Sequence, residues 1–348
     1  MRPWLLLSAL VVTALLMAPL AAAPKPPGAG PKPPPPPPPP PPPADPAIAY
    51  IDVALEVMNA NGSTATTVYT GSATYPTWAP DRGAIAFSAY SGYGFDLWRI
   101  DVIVSNGTVQ GTNPLLLYAN VSHAAGFKPA WSPEGTVIAF IEERVDFWGD
   151  FRPQLLRTIP VGGGAPTTLY AVESWEGALV AMQLFSPTWN AAGTRIAWVE
   201  NHLELSDYLA EYNEWSLMVL DLATNEVTTG FGPVNYSFDD LDWARTQDRV
   251  AFHSSPVGGR ASVYTIDLGQ PNPIPQFVVW GWFPTWLPDD AKIAFAALQV
   301  VQISGPGKSG KTYQSYIMSV WTYEFSTGQQ VVVGPGSQPD WVRCSPCP

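Results

Sequence analysis

The sequence predicts an all-β fold: a six-bladed β-propeller of four-stranded antiparallel blades, the last blade closed by N- and C-terminal strands. Three observations predict it. A Trp-headed hairpin recurs five times, a second strand-rich stretch follows each copy, and the two chain ends carry complementary fragments of a sixth copy.

The hairpins are "PTWAPDRGAIAF" (76–87), "PAWSPEGTVIAF" (129–140), "PTWNAAGTRIAW" (187–198), "LDWARTQDRVAF" (241–252) and "PTWLPDDAKIAF" (284–295). In each, Phe or Trp follows the leading Trp by nine residues, with a polar turn between them. The Trp closes one strand, Pro, Asp, Glu or Gly makes the turn, and the apolar run is the next strand. The second signal is "DLWRIDV" (96–102), "QLLRTIPV" (154–161), "SLMVLDL" (216–222), "SVYTIDL" (262–268) and "MSVWTYEF" (318–325), further strands closed mostly by Asn, Gly or Thr turns. Four strands in each repeat, with almost no helix signal, describe propeller blades.

The sixth repeat is split. "PDWVRCSP" (339–346) holds a Trp strand without its partners, and "IAYIDVALEVMNANGSTATTVYT" (48–70) holds the partners without their Trp. Joining them completes a blade and removes the free sheet edges. The motif tryptophans Trp78, Trp131, Trp189, Trp243, Trp286 and Trp341 are therefore expected in the blade cores.

The "P-x-W-S-P-E-G-x-x-I-A-F" repeat, with "VMNANGS" (57–63), resembles the WD-like propeller repeats of the TolB family across nearly all of residues 44–348. That resemblance implies an exported six-bladed propeller that binds other proteins and catalyses nothing. TolB proteins also carry an α/β domain before the propeller. A proline stalk takes its place here, so TolB's particular partners do not carry over.

The domain organisation expected is a signal peptide or uncleaved anchor (1–23), a proline-rich stalk (24–43) and the propeller (44–348). Residues 1–23 place Arg2 before an apolar run and then small residues, the layout of an export signal. Proline fixes φ and lacks the N–H donor, so the stalk is a polyproline II rod on the order of 60 Å long. The propeller region carries 14 bases against 29 acids, a net of −15. An acidic exported domain argues against nucleic acid and anionic membrane surfaces as partners, apart from a membrane tether through the N-terminal segment. Cys344 and Cys347 are the only cysteines, too few for a disulfide scaffold or a four-ligand zinc site. They are either a small terminal disulfide or two free thiols.

"ISGPGKSGKTY" (303–313) matches the Walker A pattern through Gly305, Gly310, Lys311 and Thr312. A phosphate-binding loop must open a helix, whereas the segment that follows is rich in Tyr, Val, Ile, Trp and Ser and reads as strand. Only 36 residues follow Thr312, too few for a nucleotide-binding domain. The match is read as a Gly-rich hairpin tip with Lys308 and Lys311 in solvent. No G-x-S-x-G or H-E-x-x-H motif is present, and His123, His202 and His253 fall in three different repeats. His253, directly after a second strand, is read as a packing or hydrogen-bonding residue.

With strands A to D in each blade, the A–B and C–D turns share one face and the B–C loops and D–A crossovers share the other. The A–B and C–D turns read as short throughout. "EERVDFWGDFRP" (142–153), "NHLELSDYLAEYNE" (201–214) and the 297–317 hairpin lengthen the B–C segments of three blades and mark that face for binding. The crossovers bring two residues per blade to the channel mouth, four and three positions before each Trp. Among them Tyr75, Phe127, Lys128, Phe185, Asp239, Asp240, Trp282 and Phe283 are the candidate partner-binding residues, an aromatic ring with a few charges. Inter-blade packing is the competing account of those aromatics. A second candidate surface is the acidic insertion 200–215, with Glu204, Asp207 and Glu211 and no Lys or Arg, folding back on its blade as a short helical turn. A basic partner segment or a bound Ca²⁺ would offset its charge. No catalytic residue and no resident metal or cofactor is assigned.

The function expected is non-catalytic binding of a protein or peptide by a monomer in the periplasm, the cell envelope or the secreted fraction. The alternatives are an envelope enzyme or a carbohydrate-binding module with its site at the mouth, the latter favoured by the aromatics around Trp280 and Trp282.

Overall fold

The computed structural model describes residues 46–105, 108–122, 126–143, 154–172, 180–206, 209–255, 259–304 and 312–342. The signal, the stalk, Cys344, Cys347, Asp207 and the tip of the Walker-like stretch (305–311) lie outside them. The chain divides into two compact units, Pro41–Val300 with Tyr316–Pro348, and Met1–Pro40 with Val301–Ser315. The second is described only at the strand ends 301–304 and 312–315.

Every regular element among the described residues is a strand. The N-terminal three are β1 (Pro46–Ile51), β2 (Leu55–Asn59) and β3 (Thr66–Tyr69). Blade one is β4 (Ala73–Trp78), β5 (Ala84–Tyr90), β6 (Phe95–Ser105) and β7 (Thr108–Ser122). Blade two is β8 (Ala130–Trp131), β9 (Val137–Glu142), β10 (Leu155–Pro160) and β11 (Thr167–Ala171). Blade three is β12 (Val180–Trp189), β13 (Arg195–Ser206), β14 (Leu209–Asp221) and β15 (Val227–Val234). Blade four is β16 (Phe238–Trp243), β17 (Arg249–Ser254), β18 (Ser262–Asp267) and β19 (Gln276–Trp280). Blade five is β20 (Trp282–Trp286), β21 (Lys292–Ser304), β22 (Thr312–Glu324) and β23 (Gln330–Pro335). The last strand, β24 (Ser337–Trp341), pairs with β1, and the order β24-β1-β2-β3 completes blade six.

The ring closes through its innermost strands. β24 touches β4, β4 touches β8, β8 touches β12, β12 touches β16, β16 touches β20, and β20 touches β24. The second strands are covered on both faces by neighbouring blades, so β5 and β9 read as almost continuous apolar runs and are buried nearly throughout. The outermost strands, such as β11 and β23, are half-exposed or exposed.

Each A–B turn is the same device. The residue after the Trp donates its N–H to the carbonyl six positions after the Trp, as Ala79 to Ala84 (2.8 Å) and Ser132 to Val137 (2.9 Å). Four positions after the Trp, Arg82, Gly135, Gly193 and Asp290 take positive φ, which explains the Gly and Asp in these turns.

The motif tryptophans are buried, and they fasten one blade to the next. Trp131, Trp189 and Trp286 donate their indole N–H groups to the carbonyls of Thr77, Ala130 and Asp242, each on the preceding blade. Their peptide N–H groups are also held across blades: Trp243 by Thr188 Oγ1 (3.0 Å), Trp286 by Asp242 Oδ2 (2.7 Å) and Trp78 by Asp340 Oδ2 (2.7 Å). Thr285 bridges the two carboxylates of Asp242 and Asp340.

Two expectations are corrected. Among its described residues the acidic insertion has no helical turn: β13 and β14 run on as an antiparallel hairpin through Glu204↔Tyr212 to Ser206↔Leu209. Pairing satisfies the backbone N–H and C=O groups by prolonging an existing ladder, whereas a one-turn helix would need a new nucleus. Lengthening is also not confined to the B–C face, because β6 and β7 extend the C–D hairpin of blade one to strands of 11 and 15 residues. The segment after the Walker-like stretch is β22, a strand.

Candidate functional site

The first strands of five blades, all but blade two, enter through an irregularity. The A–B register shifts between Thr74 and Thr77, Phe185 and Thr188, Asp239 and Asp242, and Trp282 and Thr285. Within these bulges, three positions before the Trp, Tyr75, Ser186, Asp240 and Phe283 take φ near +50°, as does Gln338 on β24. Lys128, the equivalent on blade two, is not in this conformation. The left-handed region costs a non-glycine residue about 1–3 kcal/mol, and bulges of this kind re-aim side chains beside functional sites. Here they bring one side chain from each of five blades to the mouth.

Those side chains wall two cavities. The larger, of about 160 Å³, is lined by Tyr75, Phe127, Lys128, Phe185, Ser186 and Asp239, with Ile141, Gln154 and Leu184 among the residues beside them. A recess of about 10 Å³ takes Tyr75, Lys128, Asp240, Phe283 and Gln338, so Tyr75 and Lys128 face both.

A polar network crosses the mouth. The Tyr75 N–H donates to Gln338 Oε1 (2.8 Å), and the Asp240 N–H donates to Ser186 Oγ (3.3 Å). Lys128 reaches from blade two to blade four, its Nζ donating to the Leu241 carbonyl (2.8 Å). His253 Nδ1 lies 2.9 Å from Asp240 Oδ2, and its ring packs 5.9 Å from that of Phe283. Phe283 in turn meets Tyr75 edge-on at 6.0 Å.

Burial and crowding set the protonation of this cluster. Asp239 is pushed up to about 6, first by loss of water and then by the charge of Asp240; the Ser186 hydroxyl and His253 oppose the shift. Burial lowers the His253 pKa, but its contact with Asp240 and the charges of both aspartates outweigh that and raise it. Burial, followed by the same two charges, also raises the Tyr75 phenol. Asp239 Oδ1 and Asp240 Oδ1 are out of solvent and have no hydrogen-bond partner.

Of the eight mouth residues expected from the sequence, the structure gathers seven around the two cavities. Trp282 lines neither; it is half-buried at the start of β20. Phe127 and Phe185 serve both accounts, since each lines the larger cavity while packing against an inter-blade core, Phe185 stacked on Trp215 at 5.5 Å. Glu204, Asp207 and Glu211 fall on the blade-three hairpin, with Asp207 and the side chains of the other two outside the described residues. Ser186 and Gln338, crossover residues three positions before their Trp, line the cavities too, and His253, read as a packing or hydrogen-bonding residue, joins the site through Asp240. The signal for His253 was its place opposite Asp239 in the A–B ladder, a pairing that a residue count through a regular hairpin does not give across the bulge. Among the described residues, no three or more His, Cys, Asp or Glu are grouped to hold a metal.

These features define a six-bladed propeller with a walled, acid-bearing cavity at the mouth of its channel. The fold is TolB-like. The chain superposes on the crystal structure of TolB from Acinetobacter baumannii with a TM-score of 0.55 at 13% identity, covering 85% of this chain and 66% of that one. A putative TolB from Agrobacterium tumefaciens gives 0.49 at 13%, covering 85% and 91%. An oligogalacturonate lyase in complex with manganese gives 0.46 at 13%, covering 75% and 76%. Likeness at this level of identity concerns architecture alone. No family model matches the chain, and no curated protein matches it.

Proposed function

We propose that this chain is an exported, non-catalytic propeller that binds a protein or peptide at its channel mouth, on the face bearing the longest B–C hairpins. One observation carries the reading: five blades hold strained backbone at the same position, and the side chains so aimed meet around cavities where buried carboxylate oxygens lack partners. Strain repeated at equivalent positions requires support from the surrounding structure, and a ready-made receptor is its use. The export-type N-terminus and proline stretch support a place in the periplasm, the envelope or the secreted fraction. Selection from a random-peptide phage library tests the reading, with the full chain as bait and a Phe127→Ala/Asp239→Asn variant as counter-bait. Enrichment of a consensus that the variant fails to retain is the expected result. A consensus retained equally by both baits, or none at all, would overturn it.

Hydrolysis at the same mouth is the second reading, and the Asp240–His253 contact beside Ser186 favours it. A nucleophile needs its base within hydrogen-bond reach. Ser186 is engaged instead by Asp239 and by the Asp240 N–H, which favours binding over catalysis. Turnover of p-nitrophenyl esters that disappears in His253→Ala would reverse that preference.

A further inference from the structure

The larger cavity measures about 160 Å³. Pockets for whole small molecules run roughly from 300 to 1,000 Å³, so this one suits a single side chain. Its charge selects which. Asp239 opens onto it, and Asp240, 2% exposed, stands behind at the adjoining recess. Each keeps one oxygen out of solvent and without a hydrogen-bond partner, so the pair holds negative charge that a cation seated in the cavity would offset.

The other charged and titratable groups facing the site are already engaged or add to the acidity. The Lys128 ammonium is held on the Leu241 carbonyl, and His253 lies against the other oxygen of Asp240. Glu143, which also lines the larger cavity, adds a further acid and accepts from Ser122 Oγ at 2.6 Å. Tyr75 presents a phenol whose ionisation is suppressed. A divalent metal needs more oxygen ligands than the described residues gather here, whereas an organic cation needs one counter-charge and an aromatic wall.

We propose that this cavity receives one basic side chain, lysine or arginine, of a peptide partner, with Asp239 as its counter-charge and Phe127, Phe185 and Tyr75 as its walls. The assignment rests on the peptide-binding reading and narrows it to an anchor residue.

The test titrates Nα-acetyl-lysine methylamide, Nα-acetyl-arginine methylamide and the uncharged Nα-acetyl-norleucine methylamide into the full chain at neutral pH. Binding is followed by calorimetry. The cationic probes should bind about tenfold more tightly than the norleucine compound, and the isosteric Asp239→Asn should abolish the difference. Lys128→Met, which removes the resident cation, should strengthen both cationic probes and supplies an independent readout should Asp239→Asn fail to fold. Equal binding of all three probes, or no binding by any, overturns the assignment. Library-selected peptides that bind the mouth without enrichment of Lys or Arg also overturn it while leaving the peptide-binding reading intact. Failure of every peptide, even with lysine probes bound, defeats that broader reading instead.

Discussion

Asp340 Oδ2 accepts the backbone N–H of Trp78 at 2.7 Å, across 262 residues of sequence. The same carboxylate accepts Thr285 Oγ1 from blade five, so the first-strand ring closes through a side chain on the last strand. Asp340→Ala should therefore lower stability by about 2–3 kcal/mol, because buried donors lose a charged acceptor. Trp341→Ala should cost about 3–5 kcal/mol, the range for a large buried aromatic. Removing residues 339–348 should abolish cooperative folding. Urea melts of the three variants check this, and a truncated chain melting like the parent would show that the ends do not close the ring.

Asp242 supports the ring one blade away. Its carboxylate is 1% exposed, accepts the Trp286 N–H and Thr285 Oγ1, and pairs with Arg245 at 3.1 Å. Truncating it leaves a guanidinium buried without its partner, so Asp242→Ala should cost about 3–5 kcal/mol. Asp242→Ala/Arg245→Met should recover part of that loss. A single-variant loss below about 1 kcal/mol, as for exposed pairs, would mean that this contact is not desolvated in solution.

Stability should fall as the pH rises across the range in which the mouth cluster titrates. Asp239 holds its proton to about pH 6, whereas an unfolded aspartate loses its own near the ordinary value of 3.8, so the folded state binds more protons between them. The raised His253 acts in the same direction: its contribution is complete below the ordinary value of 6.5 and is lost as the pH rises through its higher folded value. Relative to Asp239→Asn, the parent should lose melting temperature between about pH 4 and pH 6. Parallel melting curves for the two proteins over that interval would contradict the assignment.

How much of this was legible in the sequence differs between scaffold and site. The Trp-to-Phe spacing exposed the A–B hairpins, and the fragments around Ile48 and Trp341 exposed the split blade; the structure pairs those two residues directly. Counting back from each Trp also reached the mouth. What the count could not supply was direction. In five blades position three before the Trp sits in a bulge with left-handed backbone, and no local residue type announces a left-handed Tyr75, Phe283 or Gln338. Trp282 illustrates the cost, sharing the spacing of Phe127 and Phe185 without reaching their cavity. His253 was hidden for a different reason, since its role depends on the contact of its Nδ1 with Asp240 Oδ2, which no residue type announces.

The acidic hairpin offers a separate check on how a partner approaches. If Glu204, Asp207 and Glu211 steer a basic peptide, association should slow as salt shortens the Debye length from about 10 Å at 0.1 M to about 3 Å at 1 M. Changing the three together to Gln should flatten that dependence while leaving the melting temperature nearly unchanged. An unchanged salt slope would make the hairpin a solvated surface and leave recognition to the mouth.

The most direct test of the binding reading is the dissociation constant of a library-selected peptide, measured by calorimetry against the parent and against Phe127→Ala/Asp239→Asn. A mouth that forms the receptor predicts a loss of affinity of at least about tenfold, or 1.4 kcal/mol, in a variant that melts like the parent. A folded double variant that binds the peptide as tightly as the parent would contradict the account.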